Sequence, residues 1–293
     1  MQFPPVPIPP DQTTPRFTRR NALRLITAGA AGCLIDAFKI EPAWLSVTRQ
    51  TVPCDAKSAG LDGLRIGLLS DFHFRPEADH DLLESVVARI NDEKPDLIAL
   101  TGDFMSANPK VIDPLLKHLE KMKAAHGVFA VMGNHDGWAG SRSAVRRQFE
   151  KAGISFLINQ HSKISIRQEK LAIAGTDFVW KGRPDPAKTL KGISTDTPVL
   201  ALVHEPDYFD TMAAQRNICL QLSGHTHGGQ CRVPIFGYAP RKVKMGQKYL
   251  YGGYSNGDSK LFVSRGVGTV GVRVRFACPP ELAILTLKNQ QVS

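Results

Sequence analysis

The sequence predicts an α/β fold whose parallel strands deliver polar residues to one edge, and two patterns carry that expectation. Short apolar runs recur along the chain, each ending in a Gly or polar turn that holds Asp, Asn or His. Stretches with apolar residues at helical spacing separate the first of these runs, an order that makes parallel pairing the natural solution. A third feature lies near the C-terminus, where β-branched and apolar runs divided by Gly or Pro read as further strands completing a second sheet.

The chain of 293 residues is 42% hydrophobic and 22% charged, enough for a sizeable core. That composition excludes a fibre, a disordered chain and a polytopic membrane protein. Its five cysteines (Cys33, Cys54, Cys219, Cys231, Cys278) show no CxxC spacing, which argues against a thiolate zinc knuckle and a disulfide framework. One disulfide pairing stays open. Cys231 reads as a small packing residue rather than a ligand. The formal charge of +10 comes from scattered Lys and Arg with no block of five. It points to attraction of an anion, lipid or substrate, more than to a nucleic-acid duplex.

From the N-terminus, prolines at 4, 5, 7, 9, 10 and 15 keep the first 15 residues from opening a packed domain. Arg19, Arg20 and Arg24 then precede an apolar run from Leu25 to Ile35, too short for a bilayer core that needs about 20 residues. Basic residues before a short Gly/Ala-rich run read as an export signal. The paired arginines resemble a twin-arginine signal, with Ala22 where that pattern usually has Phe. Ala30-Ala31-Gly32-Cys33 lacks the Leu of a lipoprotein box, and no A-x-A site follows the run, so a retained anchor is expected. Residues 1–59 are thus expected to be proline-rich start, signal or anchor, and linker. Residues 60–293 are expected to form one folded domain.

Within that domain Leu64 to Leu69 leads into Ser70-Asp71-Phe72-His73, and Leu97 to Leu100 into Thr101-Gly102-Asp103. Between them Leu82, Leu83, Val86, Val87 and Ile90 mark a helix. Leu115, Leu116, Leu119 and Met122 mark another before Val128 to Met132, which leads into Gly133-Asn134-His135-Asp136. Val199 to Val203 ends at His204, and Cys219 to Leu222 at Ser223-Gly224-His225-Thr226-His227. Leu261 to Ser264, Val270 to Phe276 and Leu282 to Leu287 are expected to be antiparallel strands of the second sheet.

Taken singly, each Asp or Asn at these ends is a fair helix cap or turn former, and each His a surface residue. Those readings do not explain why five strand ends share the chemistry. In parallel sheets ligands gather beyond the carboxyl ends of the strands. Divalent ions accept this mixture of carboxylate, imidazole and amide oxygen. Two ions about 3.5–4 Å apart need a bridging ligand, which a carboxylate provides. An Asp-x-His pair on a strand end would put both side chains on one side. His225 and His227 repeat the spacing and can offer one imidazole to each ion.

Asp71-Phe72-His73, Gly102-Asp103, Gly133-Asn134-His135-Asp136, His204 and Gly224-His225-Thr226-His227 resemble the five ordered motifs of the calcineurin-like metallophosphoesterases, over roughly residues 60 to 290. The resemblance implies a four-layer α/β/β/α sandwich, two mixed sheets flanked by helices, around two divalent metal ions (Mn, Fe or Zn). Asp71, His73 and His227 would hold one ion, Asn134, His204 and His225 the other, with Asp103 bridging. Catalytic His135 would stay off the metals, steadying the transition state or protonating the leaving oxygen. A water or hydroxide held between the ions would attack phosphorus in line. The leader, Glu41-Pro42-Ala43-Trp44, His204-Glu205-Pro206-Asp207 and Gly224 to Gln230 further resemble a bacterial branch with twin-arginine leaders or amino-terminal anchors. Its members are described as phosphodiesterases, and relatives hydrolyse the pyrophosphate of UDP-2,3-diacylglucosamine.

The expected protein is therefore a phosphodiesterase or pyrophosphatase acting on a phosphorylated small molecule or lipid at a membrane surface. The twin-arginine export machinery is its expected partner and the periplasm or cell envelope its location. Arg265 is expected to reach a substrate phosphate from the second sheet, its alternative being a solvated strand-end residue. An exported nuclease, a broad phosphatase and a non-catalytic scaffold compete. The nuclease lacks an extra domain to hold a duplex, and the scaffold should have lost some of the eight site residues.

Overall fold

Thr18 accepts the N–H of Asn21 at 3.2 Å and opens α1 (Arg19–Ile35), the first element of a computed structural model that describes residues 18–54, 60–234, 239 and 243–289. The proline-rich stretch at 1–15 lies outside the described residues. No residue of α1 is buried, and no helix among the described residues is long and apolar enough to cross a membrane. A π-helical turn (Asp36–Ile40) and a 3-10 turn (Glu41–Ala43) lead to β1 (Ser46–Cys54).

Next come β2 (Arg65–Leu69), α2 (His80–Asp92), β3 (Leu97–Leu100), α3 (Ile112–Leu119), β4 (Val128–Val131), α4 (Asn134–Ala139), α5 (Arg142–Lys151) and β5 (Ser155–Leu157). They are followed by β6 (Gln160–Ile166), β7 (Glu169–Gly175), α6 (Pro186–Leu190), β8 (Val199–Leu202), α7 (Phe209–Gln215), β9 (Leu220–Ser223), β10 (Gly252–Asn256), β11 (Ser259–Val263) and β12 (Glu281–Asn289). One six-stranded sheet runs β1-β12-β2-β3-β4-β5 and the other β10-β11-β9-β8-β7-β6.

The short strands are apolar on both faces because both faces are covered. Ile66, Leu68, Ala99 and Phe129 of the first sheet meet Ile173, Leu200, Leu202 and Leu222 of the second in one buried cluster. On its other face the first sheet buries Ile98, Leu100 and Ala130 against Val86 and Ile90 of α2, Leu115 and Leu119 of α3 and Phe149 of α5. Ala172, Ala174 and Ala201 of the second sheet pack on Met212 of α7. Helices, sheet, sheet, helices: the four layers are those expected.

Three expectations are corrected. The folded region does not begin near Gly60: β1 pairs in parallel with β12 from Ser46↔Glu281 to Cys54↔Asn289 and forms an edge of the first sheet. β11 runs parallel to β9, and β12 belongs to the first sheet, antiparallel to β2. Val270 to Phe276 forms no strand beyond a bridge between Phe276 and Cys231. Its backbone bonds go elsewhere, Val274 N–H to the Val272 carbonyl (2.9 Å) and Arg275 N–H to that of Ala37 (3.0 Å), while the buried Arg275 guanidinium takes the carbonyls of Arg265 (3.0 Å), Gly266 (3.0 Å), Gly268 and Cys278 (2.9 Å).

Candidate metal centre

β2, β3 and β4 lie side by side in the first sheet, β8 and β9 in the second, and all five chain ends open on the same region. Asp71 and His73 follow β2, Asp103 follows β3, Asn134 starts α4 after β4, His204 follows β8, and His225 and His227 follow β9. The Asp-x-His spacing does not work through strand pleating as expected. Asp71 (φ 54°) and His73 (φ 40°) lie beyond β2 in left-handed backbone, as do Asp103 (53°), His225 (72°) and His227 (51°). Tight turns, rather than strand ends, aim these side chains. Two glycines let the turns close: a Cβ on Gly224 would overlap Ser70 and Asp71, and one on Gly133 would overlap Asp103.

Ligand atoms of Asp71, His73 and His227 lie within 4.8 Å of one another, as do those of Asp103, His204 and His225. Asp103 Oδ2 stands 3.4 Å from His73 Nε2 and 3.2 Å from His204 Nε2, facing one imidazole of each group. The imidazoles are turned by bonds at their other nitrogens, which is how protein sites orient metal ligands. His204 Nδ1 donates to the Thr101 carbonyl at 2.6 Å, and His225 Nε2 to that of Lys244 at 2.7 Å. His73 Nδ1 meets the Ser106 hydroxyl at 3.0 Å.

His73 Nε2, His204 Nε2, His227 Nδ1 and both amide atoms of Asn134 are buried without a hydrogen-bond partner. Orphaned polar atoms are rare in folded proteins, and those of His73, His204 and Asn134, which flank Asp103 or line the same cavity, ask for a common partner. Two divalent cations are that partner in kind, because every orphan but the amide nitrogen can donate a lone pair.

Charge coupling is strong. Burial alone would raise Asp103, but His204 and His73 hold it well below the usual carboxylate range. Burial opposes the charged form of His204, yet Asp103 and then Asp71 raise it well above an ordinary imidazole. Asp71 is raised, chiefly by burial. Burial takes His225 down to about 4 and His227 well below its normal value.

His135 lies at the edge of the centre, with a ligand atom within 4.8 Å of those of His73 and Asp103. Its Nδ1 donates to the Ser106 carbonyl at 2.9 Å, leaving Nε2 free. The expectation for Arg265 is corrected. Its guanidinium binds Glu281 (Nε to Oε1, 3.0 Å) and reaches Ser46 and Thr48, so it ties β1 to β12 and does not line the cleft. The Glu281 carboxylate at the start of β12, in the other sheet, captured it.

Sequence reasoning quoted Asp136, Glu205 and Asp207 within the motifs but gave no role to these residues, which hold the walls. Asp136 accepts the N–H groups of Phe104 (2.8 Å), Met105 (3.1 Å) and Gly133 (2.9 Å), locking α4 to the Asp103 turn. Burial, then the charge of Asp103, pushes it up to about 7 against those donors. Glu205, buried beside His204, accepts from Val179 (2.9 Å) and Trp180 (2.8 Å). Asp207 accepts from Gln247 (2.8 Å), Lys248 (3.1 Å) and Tyr249 (3.2 Å). Their signal was position: each is an acid within three residues of a candidate ligand.

Fold and centre together define a metallophosphoesterase: residues 64–229 match the calcineurin-like phosphoesterase family, and the chain belongs to it. Members use a dinuclear divalent metal centre, and the enzyme is a hydrolase of phosphoester bonds. Among its relatives, the uncharacterized metallophosphoesterase YkuE of Bacillus subtilis is 32% identical over 94% of this chain and 99% of its own. Phosphodiesterase YaeI of Escherichia coli is 30% identical over 93% and 98%. A dimetal phosphatase from Danio rerio aligns with 70% of this chain and 88% of its own at 12% identity, TM-score 0.45.

Proposed function

We propose that the protein is a dinuclear-metal phosphodiesterase or pyrophosphatase. Asp71, His73 and His227 hold one cation, and Asn134, His204 and His225 the other. Asp103 is shared between them. The observation that carries this reading is that two buried imidazole nitrogens, His73 Nε2 and His204 Nε2, face Asp103 Oδ2 from the two ligand groups. Mn, Fe and Zn ions all accept this donor set, and when bound they supply an acidified water and neutralise phosphoryl charge.

The chain's own residues do the rest. Thr101, Ser106 and Lys244 keep the imidazoles turned inward. His135, with Nδ1–H committed to a carbonyl, presents Nε2 to the cleft, where its doubly protonated imidazolium form would give the Nε2 proton to the leaving oxygen and become neutral. After loading with Mn²⁺ or Zn²⁺, elemental analysis should give two equivalents and bis(p-nitrophenyl) phosphate should be turned over. Asp103→Asn should lose both. A protein that carries two equivalents yet hydrolyses no phosphodiester would sink the reading.

The same proposal places the substrate at a membrane surface, as a lipid-linked or other envelope phosphoester, with export through a twin-arginine-type leader. Its support is α1, where Leu23, Leu25, Ile26, Leu34 and Ile35 are 57–67% exposed beside Arg19, Arg20 and Arg24, with no acid from 19 to 35. Exposed apolar side chains beside arginines with no neighbouring acid favour contact with anionic lipid. Unchanged localisation of the double variant Arg19→Lys, Arg20→Lys would remove the export claim.

A further inference from the structure

The mouth of the metal centre is walled on one side by aromatic rings. His135, Trp138, Trp180 and His225 follow one another with centroid separations of 5.1, 4.8 and 6.3 Å, so two tryptophans span the cleft from the proposed proton donor to a candidate ligand. Both line a cavity of about 390 Å³ shared with the candidate ligands, together with Val243 and Val270. Trp138 remains 43% exposed in spite of its neighbours.

This wall is built, not incidental. Trp180 is fixed through its backbone N–H by Glu205, and Trp138 rides on α4, which Asp136 locks. The two segments approach closely because residue 137 is glycine: a Cβ there would overlap the Phe178 ring. Opposite, Asp207 pins the backbone that follows Val243 and Lys244. His204-Glu205-Pro206-Asp207 thus contributes a candidate ligand and one carboxylate to each rim.

We propose that Trp138 and Trp180 form a subsite for a planar aromatic group esterified to the phosphorus, with Trp138 as the stacking face; this rests on the phosphodiesterase reading above. Tryptophan rings favour offset or edge-on packing with another ring. The wall is only two rings long, Lys181 Nζ stands 6.0 Å over one face of Trp138, and Lys244 lines the same cavity. Those cations curtail a trough for an acyl chain and repel a quaternary ammonium group.

The test is calorimetric titration of the metal-loaded full chain with phenylphosphonate, cyclohexylphosphonate and methylphosphonate, none of which can be hydrolysed to an alcohol. Phenylphosphonate should bind about tenfold tighter than methylphosphonate and several-fold tighter than the cyclohexyl probe. Trp138→Leu and Trp180→Leu should each bring the phenyl preference over cyclohexyl close to one, while Trp138→Phe keeps most of it. Equal binding of the phenyl and cyclohexyl probes by the unaltered protein, or a preference untouched in both leucine variants, overturns the subsite. Bis(p-nitrophenyl) phosphate turnover is measured on the same preparations. A phenyl preference without turnover would strike the hydrolase reading and leave the subsite standing.

Discussion

Asp71, His73, Asp103, His225 and His227 hold φ between 40° and 72°, a region that costs a non-glycine residue on the order of 1–3 kcal/mol. Five such residues around one centre mean that the surroundings enforce the geometry, and Asp136 is the clearest enforcer. Its two oxygens accept three buried N–H groups, whereas an asparagine in its place offers one oxygen and turns an NH₂ toward the others. Asp136→Asn should therefore lower unfolding stability by about 1–3 kcal/mol per stranded donor, read as a lower urea midpoint with an unchanged slope. An unaltered midpoint would show that the three bonds contribute nothing net. His135 poses a different question, since its ring lies within ligand distance of His73 and Asp103. As a proton donor it should be dispensable for metal content: His135→Ala is expected to keep two equivalents while kcat falls about 10²–10⁴-fold. A drop to one equivalent would make it a ligand.

At the scale of elements, the helical and parallel-strand parts were legible in the sequence because each was written locally. Leu82, Leu83, Val86, Val87 and Ile90 declared α2 by spacing, and all five are buried. The candidate ligands were legible as a set, because five apolar runs end in metal-binding residue types. The turns that aim them were not, since a left-handed Asp or His carries no local signature. Nor could sequence show that β12 would cross to the first sheet and recruit β1, because pairing partners separated by more than 200 residues leave no periodicity. The contact of α2 with α3 was likewise invisible: His80 Nδ1 and His118 Nε2 meet at 2.8 Å beside Phe74. Burial, and then the charge of His80, lower the His118 pKa in the folded state, with Lys121 adding to the effect and Glu84 opposing it. The unfolded chain therefore binds the extra proton first, and stability falls as pH drops below the ordinary histidine value near 6.5. Between pH 7.5 and 5.5 the wild type should lose more thermal stability than His118→Gln. Parallel losses would show that the pair is not sensed.

Over the whole molecule, the centre lies where the two sheets meet, at one edge of the apolar interior they share. The first sheet supplies Asp71, His73, Asp103 and Asn134, and the second supplies His204, His225 and His227. Each proposed cation thus draws donors from both sheets, and binding it opposes their separation as well as local opening. Mass action gives the size: an ion at a hundredfold excess over its Kd, bound only by the folded state, adds about 2.7 kcal/mol. For a domain of this size each kcal/mol moves Tm by roughly 2–4 °C, so chelation should lower Tm by roughly 5–10 °C per ion removed. Asp103→Asn, which takes away the shared oxygen, should melt near the chelated wild type and respond little to added metal. The comparison is best made by calorimetry on protein whose metal content has been measured before and after chelation. If removal of two equivalents left Tm unchanged, the ions would not be bridging the sheets through these side chains, whatever their part in hydrolysis.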